Sequence, residues 1–239
     1  MNIISRISSL LAVVLIVAVS INAHAQQQPG THIDLENYKK EVVTAQDLAR
    51  WDFRGMGKAF ASGGGTFCLT ENDSTVGAVM ISPAAYTGDV IVRYKTLALT
   101  SATVLVFMHS ATDVGSETLT IPSDYNGNMG MWTKEKDNYF YAFRNAPHNY
   151  PPFLRKYPVP GGDALVMANE NFMLPGVYYD IEIGRVGNSL WLSVDGRKII
   201  ETEDESILPG GHLAFRIRGT AGFKAACLIK EVEIYSAKQ

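Results

Sequence analysis

The segment "NYFYAFRNAPHNYPPFLRK", residues 138–156, sets Tyr139, Tyr141 and Phe143 at alternate positions, then delivers Arg144, Asn145, His148 and Arg155 within a dozen residues. These residue types suit a saccharide. A sugar ring presents apolar C–H faces and hydroxyl edges, so its site wants aromatic platforms beside hydrogen-bonding tips, and tyrosine supplies both. Guanidinium forks match carboxylates in bidentate fashion, which would suit an acidic sugar. If such a site does chemistry without a metal, Tyr141 or His148 could act as general base. Arg144, Asn145 or Arg155 would then neutralise a substrate carboxylate, as in β-elimination.

Strand parity decides which of these side chains share a face. In a strand from Asn138 to Asn145, Tyr139, Tyr141, Phe143 and Asn145 point one way, and Phe140, Ala142 and Arg144 the other. Phe140 and Ala142 suit an inter-sheet core, which turns the tyrosines and Asn145 toward the open face. The reverse assignment buries the tyrosines, with their hydroxyls satisfied inside. A later run, "GHLAFRIRG", separates Leu213, Phe215 and Ile217 from His212, Arg216 and Arg218. Two neighbouring guanidinium groups repel unless an anion answers them. Glu231 or Glu233 of the last strand is one candidate, and an acidic ligand is the other. The expected binding set is therefore Trp132, Tyr139, Tyr141, Arg144, Asn145, His148, Arg155, Arg216 and Arg218, roofed by the loops around Trp132 and from His148 to Arg155.

The elements that must position this set are short, β-rich runs. "TAQDLARW" opens with Thr44 and Asp47 in capping-box spacing and predicts a short helix over about Ala45–Arg50. Thereafter no helical period is sustained. "TVLVFMHS" alternates, "YYDIEIGRVGNSLWLSVDGRKIIE" reads as two hairpins, and Asp195-Gly196 signals a type I′ turn. About a dozen such strands, with turn signals every 8–12 residues, indicate an antiparallel sandwich. Two stretches break the rhythm: the Gly/Asn-rich segment after Thr118, and residues 146–162 with five prolines. Loops that long in a compact domain tend to be functional.

The chain has 239 residues and a net charge of −3. Its first 25 residues read as a signal peptide: Arg6, then ten apolar residues from Leu10 to Val19, then Ala23-His24-Ala25 as the cleavage site. Ten residues rise about 15 Å as a helix, against a bilayer core of about 30 Å. Cleavage removes Arg6 and no acid, so the net charge becomes −4, and residues 26–239 form one expected domain, secreted or periplasmic. Mild acidity without a basic block argues against nucleic acid, and no second long apolar stretch suggests a membrane partner. Cys68 and Cys227 either form a disulfide, allowed in an oxidising compartment, or remain two buried thiols. Histidines 32, 109, 148 and 212 show no metal-binding spacing, and no nucleophile elbow, phosphate loop or dinucleotide fingerprint occurs.

Four segments in order, "DLARWDFRG", "NYFYAFRN…FLRKYP", "VYYDIEIGRVGNSLWLSVDGRKI" and "GGHLAFRIRG…IKEVEIY", resemble the YesU-like family of domains of unknown function, within the concanavalin A-like lectins and glucanases. The second half is also loosely similar to 3-keto-disaccharide hydrolase domains. The resemblance covers roughly Asp47 to Tyr235. It implies an all-β jelly-roll sandwich of two curved antiparallel sheets whose concave face receives carbohydrate. It implies no cofactor, although a structural calcium held by backbone oxygens occurs in this superfamily. In this superfamily the early strands and the last strand tend to be neighbours, which would bring Cys68 and Cys227 close. Glucanases of the fold use E-x-D-x-E or E-x-D-x-x-E on one strand. "ETEDES" (201–206) lacks that spacing, and a Q-[IV]-H lyase strand is absent as well. The expected function is a glycan hydrolase or polysaccharide lyase, with a non-catalytic lectin-like module as the alternative.

Overall fold

The computed structural model describes residues 33–72, 76–158, 165–220 and 222–238. The expected signal peptide, its cleavage site and His32 lie outside the described residues. In chain order the strands are β1 (Tyr38–Val43), β2 (Asp52–Gly55), β3 (Gly57–Ala61), β4 (Phe67–Glu71), β5 (Ala78–Thr87), β6 (Val90–Ala98), β7 (Val104–Asp113) and β8 (Lys136–Arg144). They continue with β9 (Phe153–Tyr157), β10 (Val166–Met167), β11 (Tyr178–Val186), β12 (Ser189–Val194), β13 (Arg197–Glu203), β14 (Gly210–Arg218) and β15 (Ala226–Ala237). Two short helices join them, α1 (Ala45–Leu48) and α2 (Met129–Lys134).

The strands form two antiparallel sheets. The eight-stranded sheet runs β13-β12-β11-β6-β15-β4-β3, with β1 also paired to β15, and the seven-stranded sheet runs β10-β9-β8-β7-β14-β5-β2. Alternate residues of both sheets meet in one core, including Phe67, Leu69, Phe107, Tyr141, Ile183, Leu192, Phe215 and Ile234. Within it Tyr94, Phe107 and Phe215 pack with ring centroids 5.0–6.0 Å apart. Helix α1 begins on the expected capping box: Thr44 Oγ1 accepts from the Asp47 N–H, and the Asp47 carboxylate accepts from the Thr44 N–H. Asp195 and Gly196 both take positive φ, 49° and 75°, and turn β12 into β13 as their sequence predicts.

A second apolar cluster lies on the outer face of the seven-stranded sheet. Val79, Val106, Met108, Phe140, Phe153 and Ala214 build it, and α2 covers it by inserting Trp132. The sequence shows no helical period there, because α2 spans only six residues. It starts where the Asn128 side chain accepts from the Gly130 N–H. Its approach depends on two glycines. Gly77 and Gly127 have φ of 143° and 93°, and a Cβ on Gly127 would sit 1.8 Å from the Gly77 carbonyl oxygen. Gly127→Ala is therefore expected to cost at least 1–3 kcal/mol, the scale of a strained backbone position. A urea-unfolding midpoint measures it, and a wild-type midpoint would refute the close packing.

Cys68 and Cys227 are both buried and free. Their strands are neighbours, with Cys68 opposite Leu228 and Cys227 opposite Leu69. Parity separates the side chains: Cys227 points into the core with Leu69, whereas Cys68 points to the opposite face, beside Phe60. Of the two alternatives the structure has the two buried thiols, on opposite faces of one sheet, a placement that directs the Cβ vectors apart. Among the described residues, no group of three or more His, Cys, Asp or Glu could hold a metal ion. Among them too, no helix is long and apolar enough to cross a membrane.

Candidate functional site

The aromatic strand β8 is turned the other way from the expected assignment. Tyr139, Tyr141 and Phe143 point into the core between the sheets, and Phe140 and Ala142 point outward. The Tyr139 hydroxyl donates to Asp204 Oδ2 at 2.5 Å and accepts from the Leu208 N–H at 3.0 Å, so its polar tip ties down the chain after β13. Lys156 completes that cluster with an ion pair to Asp204 at 2.8 Å. Tyr141 is fully buried, its hydroxyl has no partner among the described residues, and burial drives its pKa well above the ordinary value. Its side chain is thus turned away from the outer face of the sheet.

Arg144 is also removed from the site. Its guanidinium donates to the carbonyls of Thr103 and Ser101, holding the turn before β7. Trp132 does lie over the outer face, but it is completely buried as the anchor of α2, and its Nε1–H donates to the Tyr125 hydroxyl at 2.8 Å.

The remaining five residues of the expected set come together. Asn145, His148, Arg155, Arg216 and Arg218 line a cavity of about 320 Å³ on the outer face of the seven-stranded sheet. Its floor follows the pairing register: Phe153 lies opposite Ala142, Ala142 opposite Val106, and Val106 opposite Arg216. Three strand spacings of about 4.8 Å put the Phe153 and Arg216 backbones roughly 14 Å apart. The short side chains of Ala142 and Val106 leave the hollow between them. Phe140, Phe153 and Tyr157 form one wall, with Phe140 and Phe153 stacked at 6.0 Å and Tyr157 edge-on to Phe140 at 5.7 Å. The proline-rich segment supplies the rim: a 3-10 turn at Ala146–His148, a left-handed Asn149, and then β9, a strand the sequence reading treats as loop.

The electrostatics of this cavity are one-sided. Among the described residues no Asp or Glu lines it and none of Arg155, Arg216 and Arg218 has a carboxylate within ion-pair distance, although Glu71 nearby acts on Arg216 and Arg218. Glu231 and Glu233, the protein partners proposed for the arginines, lie on the other sheet and pair with Lys95 and Lys40. Arg216 is buried. Its Nη2 donates to the carbonyls of Gly127 at 3.0 Å and Val76 at 3.2 Å, and its Nε–H has no partner among the described residues. Burial lowers its pKa, and repulsion from Arg218 adds to this. Arg155 lies over the Phe153 ring at 4.7 Å and donates to the Tyr157 hydroxyl at 3.3 Å, leaving its own Nε–H without a partner among the described residues. Burial, then Arg218 and Arg216, hold the His148 pKa below its usual value, so near pH 7 the imidazole is neutral and can both donate and accept.

Phe153, Tyr150 and Tyr157 are site residues that the sequence reading missed, whereas Phe140 and Ala142 face the cavity as the reverse assignment of the strand has them. The signal was present in the alternation Phe153/Arg155/Tyr157, obscured by the prolines around it. A second cavity of about 340 Å³ adjoins the first, sharing His148 and Arg218 and adding Glu71, Pro147 and Phe223. A third hollow of about 410 Å³ lies on the eight-stranded sheet, but its charges answer one another, as in Arg93–Glu182 and Lys95–Glu231. The acids of "ETEDES" are elsewhere too, with Glu201 paired to Lys198 and Asp204 to Lys156.

No family model matches this sequence, and no curated protein matches it. Solved structures do. One is a protein of unknown function with a galectin-like fold from Bacillus subtilis, 14% identical, with a TM-score of 0.62, covering 84% of this chain and 100% of its own. Another is the carbohydrate recognition domain of Emp46p in its metal-free form, 11% identical, with a TM-score of 0.58, covering 81% and 91%. A third is a prokaryotic β-1,3-1,4-glucanase (lichenase) derived from a mouse hindgut metagenome, 13% identical, with a TM-score of 0.55, covering 84% and 100%. At such identities the likeness carries the fold and nothing finer: the chain is a concanavalin A-like jelly-roll sandwich of two antiparallel sheets.

Proposed function

We propose that this protein is an exported carbohydrate-binding sandwich that holds a saccharide in the cavity between β9, β8, β7 and β14, and that it belongs with the YesU-like domains its sequence resembles. The observation that carries the reading is the cavity's composition. An aromatic wall lies beside Tyr157, Asn145 and a neutral His148, which pairs a surface for C–H faces with tips for hydroxyls. The lectin and glucanase folds among its structural relatives support the same ligand class. Retaining or inverting hydrolysis needs two carboxyl groups flanking the scissile bond, and among the described residues no carboxylate lines this cavity. Binding is therefore the favoured role. Lyase chemistry is the second reading, favoured by a neutral His148 beside Arg216 and Arg218: the imidazole would take the proton while a guanidinium neutralises the substrate carboxylate.

Incubation with a polysaccharide panel tests both readings. Retention on a glycan without new reducing ends or unsaturated products supports binding alone. Unsaturated products that vanish in His148→Ala support the lyase. Retention on no glycan refutes the proposal. Tyr150 stands at the cavity mouth, half-exposed and edge-on to Phe153 at 5.9 Å. Tyr150→Ala is expected to weaken binding by about 1 kcal/mol with the thermal midpoint unchanged, as titration calorimetry and a melting curve would show.

A further inference from the structure

We propose that the two adjoining cavities form one groove that reads a uronate-containing oligosaccharide, its carboxylate held among Arg155, Arg216 and Arg218 and its next sugar unit laid against Phe223. The inference rests on the carbohydrate reading above and names the ligand's charge and minimum length.

The charge argument begins with an excess of positive charge. Three guanidinium groups line one small cavity; none makes an ion pair among the described residues, and Glu71 of the adjoining cavity acts on Arg216 and Arg218 only from a distance. Arg155 and Arg216 each keep a buried Nε–H without a partner among the described residues, but so do Arg144 and Arg185 away from the cavity, so the charge argument rests on the three guanidinium groups that line it. A planar carboxylate can take two parallel N–H bonds from a guanidinium fork, which water or a single hydroxyl cannot reproduce. The floor beneath is apolar, with Ala142 and Val106 between the aromatic wall and Arg216. A sugar acid meets both demands, since its ring lies on carbon while its carboxylate reaches the arginines.

The length argument follows from Arg218 and His148. Both line both cavities, so the two hollows meet at these side chains, and a ligand long enough to pass them would occupy both. Each cavity lies at the small end of the ~300–1,000 Å³ range of ligand sites. Together they suit at least two sugar units. Phe223 is 71% exposed beside the second cavity, where its ring offers a stacking platform. Glu71 stands in that cavity too. Its Oε2 accepts from the Gly219 and Ala225 N–H groups at 2.6 and 2.8 Å, fixing the loop that carries Phe223.

Calorimetric titration of the purified protein tests both parts, with uronate trimers (galacturonate, glucuronate, mannuronate), their carboxyl-reduced neutral forms, matched sulfated trimers and the uronate monomers. At least one uronate trimer is expected to bind tenfold or more tightly than its reduced form and its sulfated counterpart. Arg218→Gln should erase most of that preference. Arg218 is only half-buried and makes no ion pair among the described residues, so the variant is expected to fold. Phe223→Ala should weaken the trimer several-fold and leave the monomer unchanged. Equal binding of acidic and reduced trimers would overturn the carboxylate assignment while leaving the carbohydrate reading intact. Equal binding of the sulfated trimer would overturn the choice of a uronate. An unchanged trimer affinity in Phe223→Ala would overturn the second subsite. Binding of no saccharide would overturn the underlying reading as well.

Discussion

Tyr141→Ala is expected to destabilise the domain by about 3–5 kcal/mol, the cost of emptying a large aromatic site in a packed core. Tyr141→Phe is expected to leave stability unchanged or slightly higher. The two variants together separate a core residue from a binding residue. Tyr141 is fully buried in the inter-sheet core, and its hydroxyl finds no partner there. Removing the ring opens a cavity that surrounding strands cannot collapse into, whereas removing the oxygen alone relieves an unsatisfied buried group. Saccharide affinity of the phenylalanine variant should match wild type. Tyr139 provides the contrast on the same face of the same strand. Its hydroxyl bonds Asp204 and Leu208, so Tyr139→Phe should cost about 1 kcal/mol or more. Chemical denaturation of the three variants checks the assignment. A Tyr141→Ala protein of near-native stability that had lost saccharide binding would restore the opposite orientation of β8.

That orientation shows where the sequence stops being legible. Strands, hairpins and the Asp195-Gly196 turn could be read because each rests on local chemistry: alternation, or two residues that must both accept positive φ. The outward position of Arg216 and Arg218 was equally legible, since β14 alternates charge with Leu213, Phe215 and Ile217. Strand β8 gave no such contrast. Both its faces are apolar, because one meets the core and the other lies under α2 and Trp132. Parity arguments need one face to be wet, and a sheet covered by its own loops removes that signal. Helix α2 was itself invisible, being six residues long and anchored by one tryptophan and a glycine–glycine approach that only the folded chain creates. The cysteines repeat the lesson. Strand adjacency was foreseeable from the resemblance, but the face each thiol occupies followed from register, which sequence does not specify.

Acid should unfold this protein through a histidine before it does so through carboxylates. His109 is fully buried in the inter-sheet core, its Nδ1 2.8 Å from Ser110 Oγ, and that hydroxyl also accepts from Arg185 at 3.3 Å. Burial, then repulsion from Arg185, pushes the His109 pKa down to about 3. The unfolded chain holds that imidazole near 6.5, so between these values the unfolded state binds the extra proton and gains on the native state. The stabilisation is therefore fully present above about pH 6.5 and is lost as pH falls toward 3. Each unit is worth about 1.4 kcal/mol, so roughly 2–3 kcal/mol should be gone by about pH 4.5. The ion-paired carboxylates act lower. Asp113, Asp204 and Glu233 all have depressed pKa values despite the opposing effect of burial, so their contributions are lost only as pH falls below the ordinary carboxylate range. His148 slopes the same way as His109, but it stands at the cavity rim, and a bound acidic sugar would oppose its shift. Glu71, raised by burial, slopes the other way, so protonating it favours the fold. Urea midpoints measured from pH 7.5 to 4.5 without ligand should therefore fall steadily, and His109→Asn should flatten most of that fall even if it lowers stability at pH 7.5. A variant with the wild-type slope would show that the buried imidazole is not the group that titrates.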